Sequence, residues 1–450
     1  MKIITDKLFT PADAFPAQLF LRFFGLVIIL QTLSYVSSNF IDGGLLHQKF
    51  LFTYDFFSFI KPISAPGLKL IMGLFFLSGV SLLLYRFLLP ALIVFIGSFL
   101  YFFLLEKSYY NNHFYLMLLM ALLFCFFRPV RNTEKGIFLI PYWMLLLLQL
   151  QIVIVYFYGG VAKLNYDWLV NQQPMRSLLQ NSVKTSAFPG LAGNVVTLYI
   201  INYGGLVFDL CIGFLLWIKR TRKIAIALIL LFNVLNFFLF NFGTGGDIGI
   251  FPVFMSATVI LFVSPEWLKK YFSFLIKQVP KTKNKNKTVA PIDFQKQQQL
   301  ALPLLSIYLV LQLLIPLRHW LYAGNTSWTE KGSRFSWRMK ANTKRSHISY
   351  FVKLNPTDSL RELDNGKFIN TQQEYAMGND PVMIWQFAQF LGAELRKKKF
   401  VGSEIYTSAK VSMNNSPYYP VIDSTLDLLK LRHSLVETDT WILPMADSVK

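Results

Sequence analysis

The sequence predicts an α-helical integral membrane protein of about nine transmembrane helices, followed by a small mixed α+β soluble domain. Three observations carry this expectation. Hydrophobic residues make up 54% of the 450 and charged residues only 15%, where a soluble domain carries about 25% charged. A series of apolar runs each approaches the roughly 20 residues a helix needs to cross the hydrocarbon core. After residue 317 the composition turns polar and is punctuated by Gly, Asn and Pro, leaving about 130 residues, enough for one small domain.

The runs lie near 19–38, 67–86, 88–105, 113–127, 143–159, 196–217, 224–242, 247–264 and 300–316. The stretch 1–18 is mixed polar, and no small-residue cleavage site follows the first apolar run. That run is therefore expected to be a transmembrane helix and not a removed signal. The eighth run is interrupted near its start by Asp247 and Pro252. The expected division is a membrane domain over 1–317, with a cytoplasmic linker near 269–299, and an extracytoplasmic α+β domain over 318–450. In that second domain, Phe335–Met339, Ile348–Leu354 and Ile405–Met413 alternate as strands do. Asp380 to Arg396 reads as an amphipathic helix with Asp380 as N-cap and Pro381 at its first position.

The net charge of +20 does not form one basic face, so no nucleic-acid partner is expected. Basic residues cluster between apolar runs: Arg86, then Arg128 and Arg131, then Lys219 to Lys223, then the Lys-rich 269–299. With nine spans these loops all fall on one side, as the positive-inside rule requires. The N-terminus is then cytoplasmic and the C-terminal domain extracytoplasmic, on the periplasmic side of the inner membrane in a bacterium. Lys281 to Lys287, reading KTKNKNK, is a solvated linker, with attraction to anionic lipid head groups as the alternative. Cys125 and Cys211 both lie in apolar runs, so no disulfide framework is expected. Five histidines and no CxxC pair leave little for a metal site, and none is expected. Walker A, Rossmann, HExxH and GxSxG patterns are absent, which disfavours the chemistries they serve.

Polar side chains at membrane depth are expensive and mark candidate sites. Asn111, Asn112 and His113 stand at the mouth of the fourth run, either as a proton-handling group or as an interfacial cap. Lys163 follows Gly159 and Gly160 at the end of the fifth run. A desolvated lysine can act as a general base, whereas a snorkelling one would only anchor the helix end. Asp209, near Gly204 and Gly205, wants a buried partner. Asn233 and Asn236 share a helix face before the Gly-rich stretch Gly243 to Asp247. Beyond the last run, Arg318, His319, Trp320 and Tyr322, then Arg334, Trp337 and Arg338, fit either an interfacial belt or a cleft between membrane and soluble parts.

Taken together, these places resemble the vitamin K-dependent γ-glutamyl carboxylase family, in particular its shorter bacterial relatives with an HTTM-type membrane domain. NNHFY at 111–115 resembles the family's Asn-Asn-His motif. GGVAKLNYDW at 159–168, GGLVFDL at 204–210 and IGIFP at 248–252 resemble three further segments. The block PLRHWLYAGNTSWTEKGSRFSWRM and the ending DTWILPM at 439–445 are similar to the bacterial members. The likeness runs from about residue 15 to 445, and its specificity lies in the order and spacing of the motifs.

The resemblance implies an enzyme that couples oxygenation of reduced vitamin K, the hydroquinone of phylloquinone or menaquinone, to γ-carboxylation of glutamate in a peptide or protein substrate. O2 and CO2 are co-substrates, and no metal is involved. By the same resemblance, Lys163 is the base and His113, supported by Asn112, steadies the carbanion or positions CO2. His319 lies near the quinone, with Gly160 and Asn236 as further quinone contacts. Trp337, with Arg334 and Arg338, belongs to the stretch that meets the glutamate substrate. Ala162 takes the place of the first of the family's paired lysines, and Asn233 stands where a histidine is often found. The alternatives are a quinol epoxidase without protein carboxylation and a non-catalytic membrane binding or transport protein.

Overall fold

The computed structural model describes residues 6–133, 136–182, 190, 193–241, 248–275, 294–295 and 298–445. The Lys281–Lys287 linker and the Gly243–Asp247 stretch lie outside the described residues. The apolar runs are helical: α1 (Phe15–Ser37), α2 (Ala65–Leu83), α3 (Leu88–Leu105), α4 (Asn112–Phe124), α5 (Tyr142–Val161), α6 (Val195–Leu215), α7 (Arg222–Asn241), α8 (Phe251–Phe262) and α10 (Gln298–Leu317). A further helix, α9 (Pro265–Leu275), turns by 117° from α8. Ser264 caps it and Pro265 occupies its first turn, so the chain restarts where α8 cannot continue.

Among the described residues, six helices are long and apolar enough to cross a membrane, or seven if the bent α8–α9 pair is one span. The expected count of nine is not confirmed among the described residues. The difference has local causes. Helix α4 has 13 residues, about 20 Å of rise, short of a hydrocarbon core of about 30 Å. The eighth run ends with α8 at Phe262, and the chain turns by 117° into α9 beyond it. Helix α7 has 20 residues, but the side chains of its last three lie outside the described set.

The bundle core is aromatic. Phe20, Phe24, Phe75, Phe95, Phe99, Phe124 and Phe254 are fully buried, and Phe75, Phe95 and Phe99 stack on one another at 5.3–5.6 Å. Without a hydrophobic drive between helices in lipid, such close packing holds the bundle together. Small residues allow it: a Cβ added to Gly25 of α1 would meet the backbone of α2 at 2.5 Å.

At one end of the bundle, β1 (Pro11–Asp13) and β2 (Val130–Asn132) flank β3 (Ile137–Pro141) in an antiparallel sheet. Lys269 pairs with Asp13 there. Arg86 and Arg128, in connecting segments, and Arg131, in β2, belong to this same end. At the other end sits a four-stranded antiparallel sheet of order β5-β4-β6-β7. Strand β4 (Lys344–Lys353) pairs with β6 (Glu404–Met413) from Lys344↔Met413 to Lys353↔Glu404. Strands β5 (Arg361–Leu363) and β7 (Tyr419–Pro420) are short edges. Helices α11 (Thr371–Asn379) and α12 (Pro381–Lys397) pack on the sheet.

Helix α11 begins with a capping box, Asn370 with Gln373. Helix α12 begins as expected, with Val382 N donating to Asp380 Oδ1 at 2.9 Å and Pro381 in the first turn. Its Met383, Ile384, Phe387 and Leu391 enter a core with Tyr350, Ile405 and Val411. The segment 335–339 is not the expected strand. Phe335, Trp337 and Lys340 have φ of 62°, 56° and 49°, a left-handed conformation that breaks the pleat. Tertiary contacts hold it: Phe335 N donates to Tyr110 Oη at 2.6 Å, and Trp337 stacks on Tyr115 at 5.0 Å.

The sheet domain is bolted to the membrane helices through Glu106. Its carboxylate accepts from Phe52 N, Ser108 N and Gln373 Nε2 at 2.7–3.0 Å. Burial pushes its pKa up to about 7 despite these bonds. Phe52, from the α1–α2 loop, is part of the sheet domain's own core.

Candidate functional site

Lys163 is placed by a close helix crossing. A Cβ on Gly160 of α5 would lie 2.8 Å from the Leu210 side chain and 2.9 Å from its backbone nitrogen. One on Gly213 of α6 would lie 3.0 Å from Val153 Cα. Glycine at both positions lets α5 and α6 approach closely. The crossing brings Asp209 of α6 to Lys163, two residues beyond the end of α5. The ammonium and carboxylate form a direct ion pair, and both residues are buried, at 7% and 6% exposure. Lys163 therefore does not snorkel to water. In so dry a place the charge must be paired, and Asp209 is its partner.

A second support comes from Trp168, whose ring lies 5.0 Å from Lys163 Nζ, within cation–π range. Asn165 caps the short helix Tyr166–Leu169 by accepting from Trp168 N at 3.0 Å. Trp168 Nε1 donates to Asn202 O at 3.1 Å, and Asn202 Nδ2 returns a bond to Trp168 O at 3.0 Å. Asn202 lies in a π-helical stretch of α6, Ile200–Gly204. The widened turn sets Asn202 toward Trp168, a use of π-bulges common at functional sites.

The ion pair faces a cavity of about 220 Å³. Tyr156, Trp168, Phe232 and Phe251 give it aromatic walls. Asn111, Asn112, Asn233 and Asn236 supply amides, and Arg338 with Met339 closes it from the C-terminal domain. Asn112 Oδ1 accepts from Tyr110 Oη at 3.0 Å, and Arg338 donates to Ser327 Oγ at 2.9 Å. Asp167 Oδ2 accepts from Asn414 Nδ2 at 2.7 Å, a further tie between the Lys163 loop and the C-terminal domain.

Lys163, Asn112, Asn236 and Arg338 thus meet at one cavity. The other candidates stand elsewhere. His113 is buried behind the wall, 4.2 Å from the ring of Phe114 and 5.9 Å from that of Phe251. Neither of its ring nitrogens has a hydrogen-bond partner among the described residues. Gly160 serves the helix crossing. His319 Nδ1 lies 2.7 Å from Pro316 O at the end of α10, off the cavity wall. Trp337 is fully buried in the bundle core.

Arg334 lines a separate polar cleft of about 190 Å³ with Tyr54, Lys107, Asp380 and His433. There it donates to Asp380 Oδ2 at 2.8 Å. Burial alone would push the Asp380 carboxyl up, but Arg334 and Lys107 beside it hold it below its usual range. Tyr156 and Phe232 carried no sequence signal as site residues, because aromatics in apolar runs look like any other core, whereas Trp168 and Phe251 fall in the segments 159–168 and 248–252. Asn202 did carry one, an amide inside an apolar run.

The arrangement can hold a flat, largely apolar ligand between aromatic walls, orient its polar atoms with three or four amides, and place a buried proton carrier against it. Arg338 offers a positive charge at the C-terminal-domain side. Comparison with known proteins bears on which ligand this is. A family profile described as HTTM domain matches residues 9–267. A second, described as Vitamin K-dependent gamma-carboxylase, lumenal domain, matches residues 297–448. No solved structure matches the chain.

Proposed function

Because the chain belongs to the vitamin K-dependent gamma-carboxylase family, we propose that it is a membrane enzyme coupling oxygenation of reduced vitamin K to γ-carboxylation of glutamate in a peptide or protein substrate. The observation that carries this reading is the buried Lys163–Asp209 pair facing an aromatic, amide-lined cavity. The cavity's residues fit a reduced quinone: aromatic faces for the ring, and Asn112, Asn236 and Lys163 for its oxygens. When bound, that group supplies, with O2, the strong base needed to remove a γ-proton from glutamate.

The chain's own part is to move and confine protons. Passing its ammonium proton to Asp209 Oδ2 leaves Lys163 a neutral amine, and Nζ is then the atom set to take a proton from a ligand hydroxyl, giving an ammonium beside a protonated Asp209. The pair redistributes its proton internally, without admitting water. Tyr156, Trp168, Phe232 and Phe251 exclude water from the same space, which a carbanion requires. Arg338 is the cation suited to a substrate carboxylate arriving from the C-terminal domain.

We read residues 1–317 as the membrane domain and 318–450 as the outer domain, with the basic end of the bundle cytoplasmic. The clustering of Arg86, Arg128, Arg131 and Lys269 at that end supports this orientation. A second reading, quinol oxygenation without carboxylation, draws on the position of His113, which stands behind Phe251 and not on the cavity wall. Purified protein in detergent, given reduced vitamin K, a glutamate-containing peptide and labelled bicarbonate, separates them. Label entering the peptide only with reduced vitamin K is expected. Epoxide without label favours the second reading, and neither product overturns both.

A further inference from the structure

A larger cavity lies far from Lys163, near the basic end of the bundle. It measures about 560 Å³ and runs between α4, α5 and α10. Its walls are apolar: Leu123, Met144, Leu147 and Leu148 on one side, Leu300, Leu304 and Leu305 on the other. The α10 residues from Leu300 to Tyr308 cover about 12 Å along the helix axis. Helix α10 is mostly exposed along its length, so the groove opens toward the surrounding lipid.

Two donors stand in this apolar setting. Arg128 lies at the wall, its guanidinium steadied by Nη1 donating to Cys125 O at 3.0 Å and Phe127 O at 3.1 Å. Trp143 also lines this wall, and its Nε1, shielded from water, has no hydrogen-bond partner among the described residues. The remaining polar group, Tyr308 Oη, is already committed to Gln151 Oε1 at 2.6 Å. A cation and an indole N–H beside a long apolar groove call for a ligand with an anionic oxygen cluster at one end and a hydrocarbon chain at the other. We infer that this groove binds an anionic phospholipid, its phosphate on Arg128 and Trp143 and an acyl chain along Leu147, Leu148, Leu300 and Leu304. Basic pockets between transmembrane helices on the positively charged side take such head groups. Placement at the bundle end that also carries Arg86, Arg131 and Lys269 matches the sign of the charge.

The test is native mass spectrometry of the full-length protein, released from detergent after incubation with phosphatidylglycerol or with phosphatidylcholine of the same acyl chains. Phosphatidylglycerol is expected to be retained preferentially. Arg128→Gln and Trp143→Phe should each lower its occupancy by about tenfold. Ala301→Trp, which fills the groove between the leucines, should abolish retention with Arg128 intact. Equal retention of the two lipids overturns the inference, as does undiminished phosphatidylglycerol binding in Arg128→Gln. Retention of an isoprenoid quinone in place of the phospholipid overturns it as well. Arg128 is surface-exposed, so its variant keeps the test intact even where Ala301→Trp does not fold.

Discussion

Replacing Gly160 by alanine tests whether the α5–α6 crossing sets the site. The new Cβ would sit 2.8 Å from Leu210 Cδ2 and Cγ and 2.9 Å from Leu210 N. Carbon contacts relax at about 3.5–4.0 Å, so α6 must retreat by roughly 0.7–1 Å. The Leu210 side chain can rotate away, but its backbone nitrogen cannot. Overpacking of this kind costs about 1–3 kcal/mol. Asp209 adjoins Leu210 and moves with it, which draws the carboxylate from Lys163. A displacement near 1 Å at the reacting groups lowers a rate by about a hundredfold. Thermal unfolding in detergent and the rate of epoxide formation read the two effects. Gly97→Ala is the control, because an added Cβ there meets nothing within 4 Å. Wild-type stability and rate in Gly160→Ala would refute the claim that this crossing positions the pair.

Three further outcomes follow from the same geometry. Asp209→Asn strands the buried ammonium of Lys163 and should cost about 3–5 kcal/mol of stability, whereas the double variant Lys163→Met with Asp209→Leu should refold to near wild-type stability without activity. Thermal melts of all three proteins check this. Trp337 is fully buried and stacked on Tyr115, so Trp337→Ala should lose about 3–5 kcal/mol, while Trp337→Phe should raise the KM for a glutamate peptide less than Arg338→Gln does. His433 lies 2.8 Å from Asp439 Oδ2 and 3.8 Å from Asp55 Oδ1, tying the α1–α2 loop to the C-terminal segment. Against the pull of burial, the bonds to Asp439 and Asp55 push its pKa up to about 9 from 6.5. A raised folded pKa means the stabilisation is complete below pH 6.5 and is lost as pH rises through 9. The stability gap between wild type and His433→Gln should therefore narrow over that window, and a constant gap would count against the bridge.

The helices were legible because length and apolarity suffice to mark a membrane helix, and each apolar run is helical. Which of them cross in full was not, since the bend at Ser264–Pro265 and the shortness of α4 depend on local caps and on packing. Lys163, Asp209 and the amides stood out as costly residues in apolar runs. Their meeting did not, because it depends on a crossing of two helices whose glycines are 53 positions apart (Gly160 and Gly213). Residues 335–339 show the opposite failure. Their alternation reads as a strand, yet Arg318 holding Arg334 O and Tyr115 stacking on Trp337 override that pattern with a left-handed turn. His113 carries the motif but is packed against Phe114 and Phe251, a neighbourhood that pattern alone does not reveal.

Epoxide formation from reduced vitamin K by the purified protein, wild type against Lys163→Ala, tests the central claim most directly. The account predicts that wild type forms epoxide and that Lys163→Ala, folded to the same degree, forms almost none. Equal epoxide formation by both proteins would remove Lys163 from the chemistry, and none from a folded wild type would contradict the enzyme reading altogether.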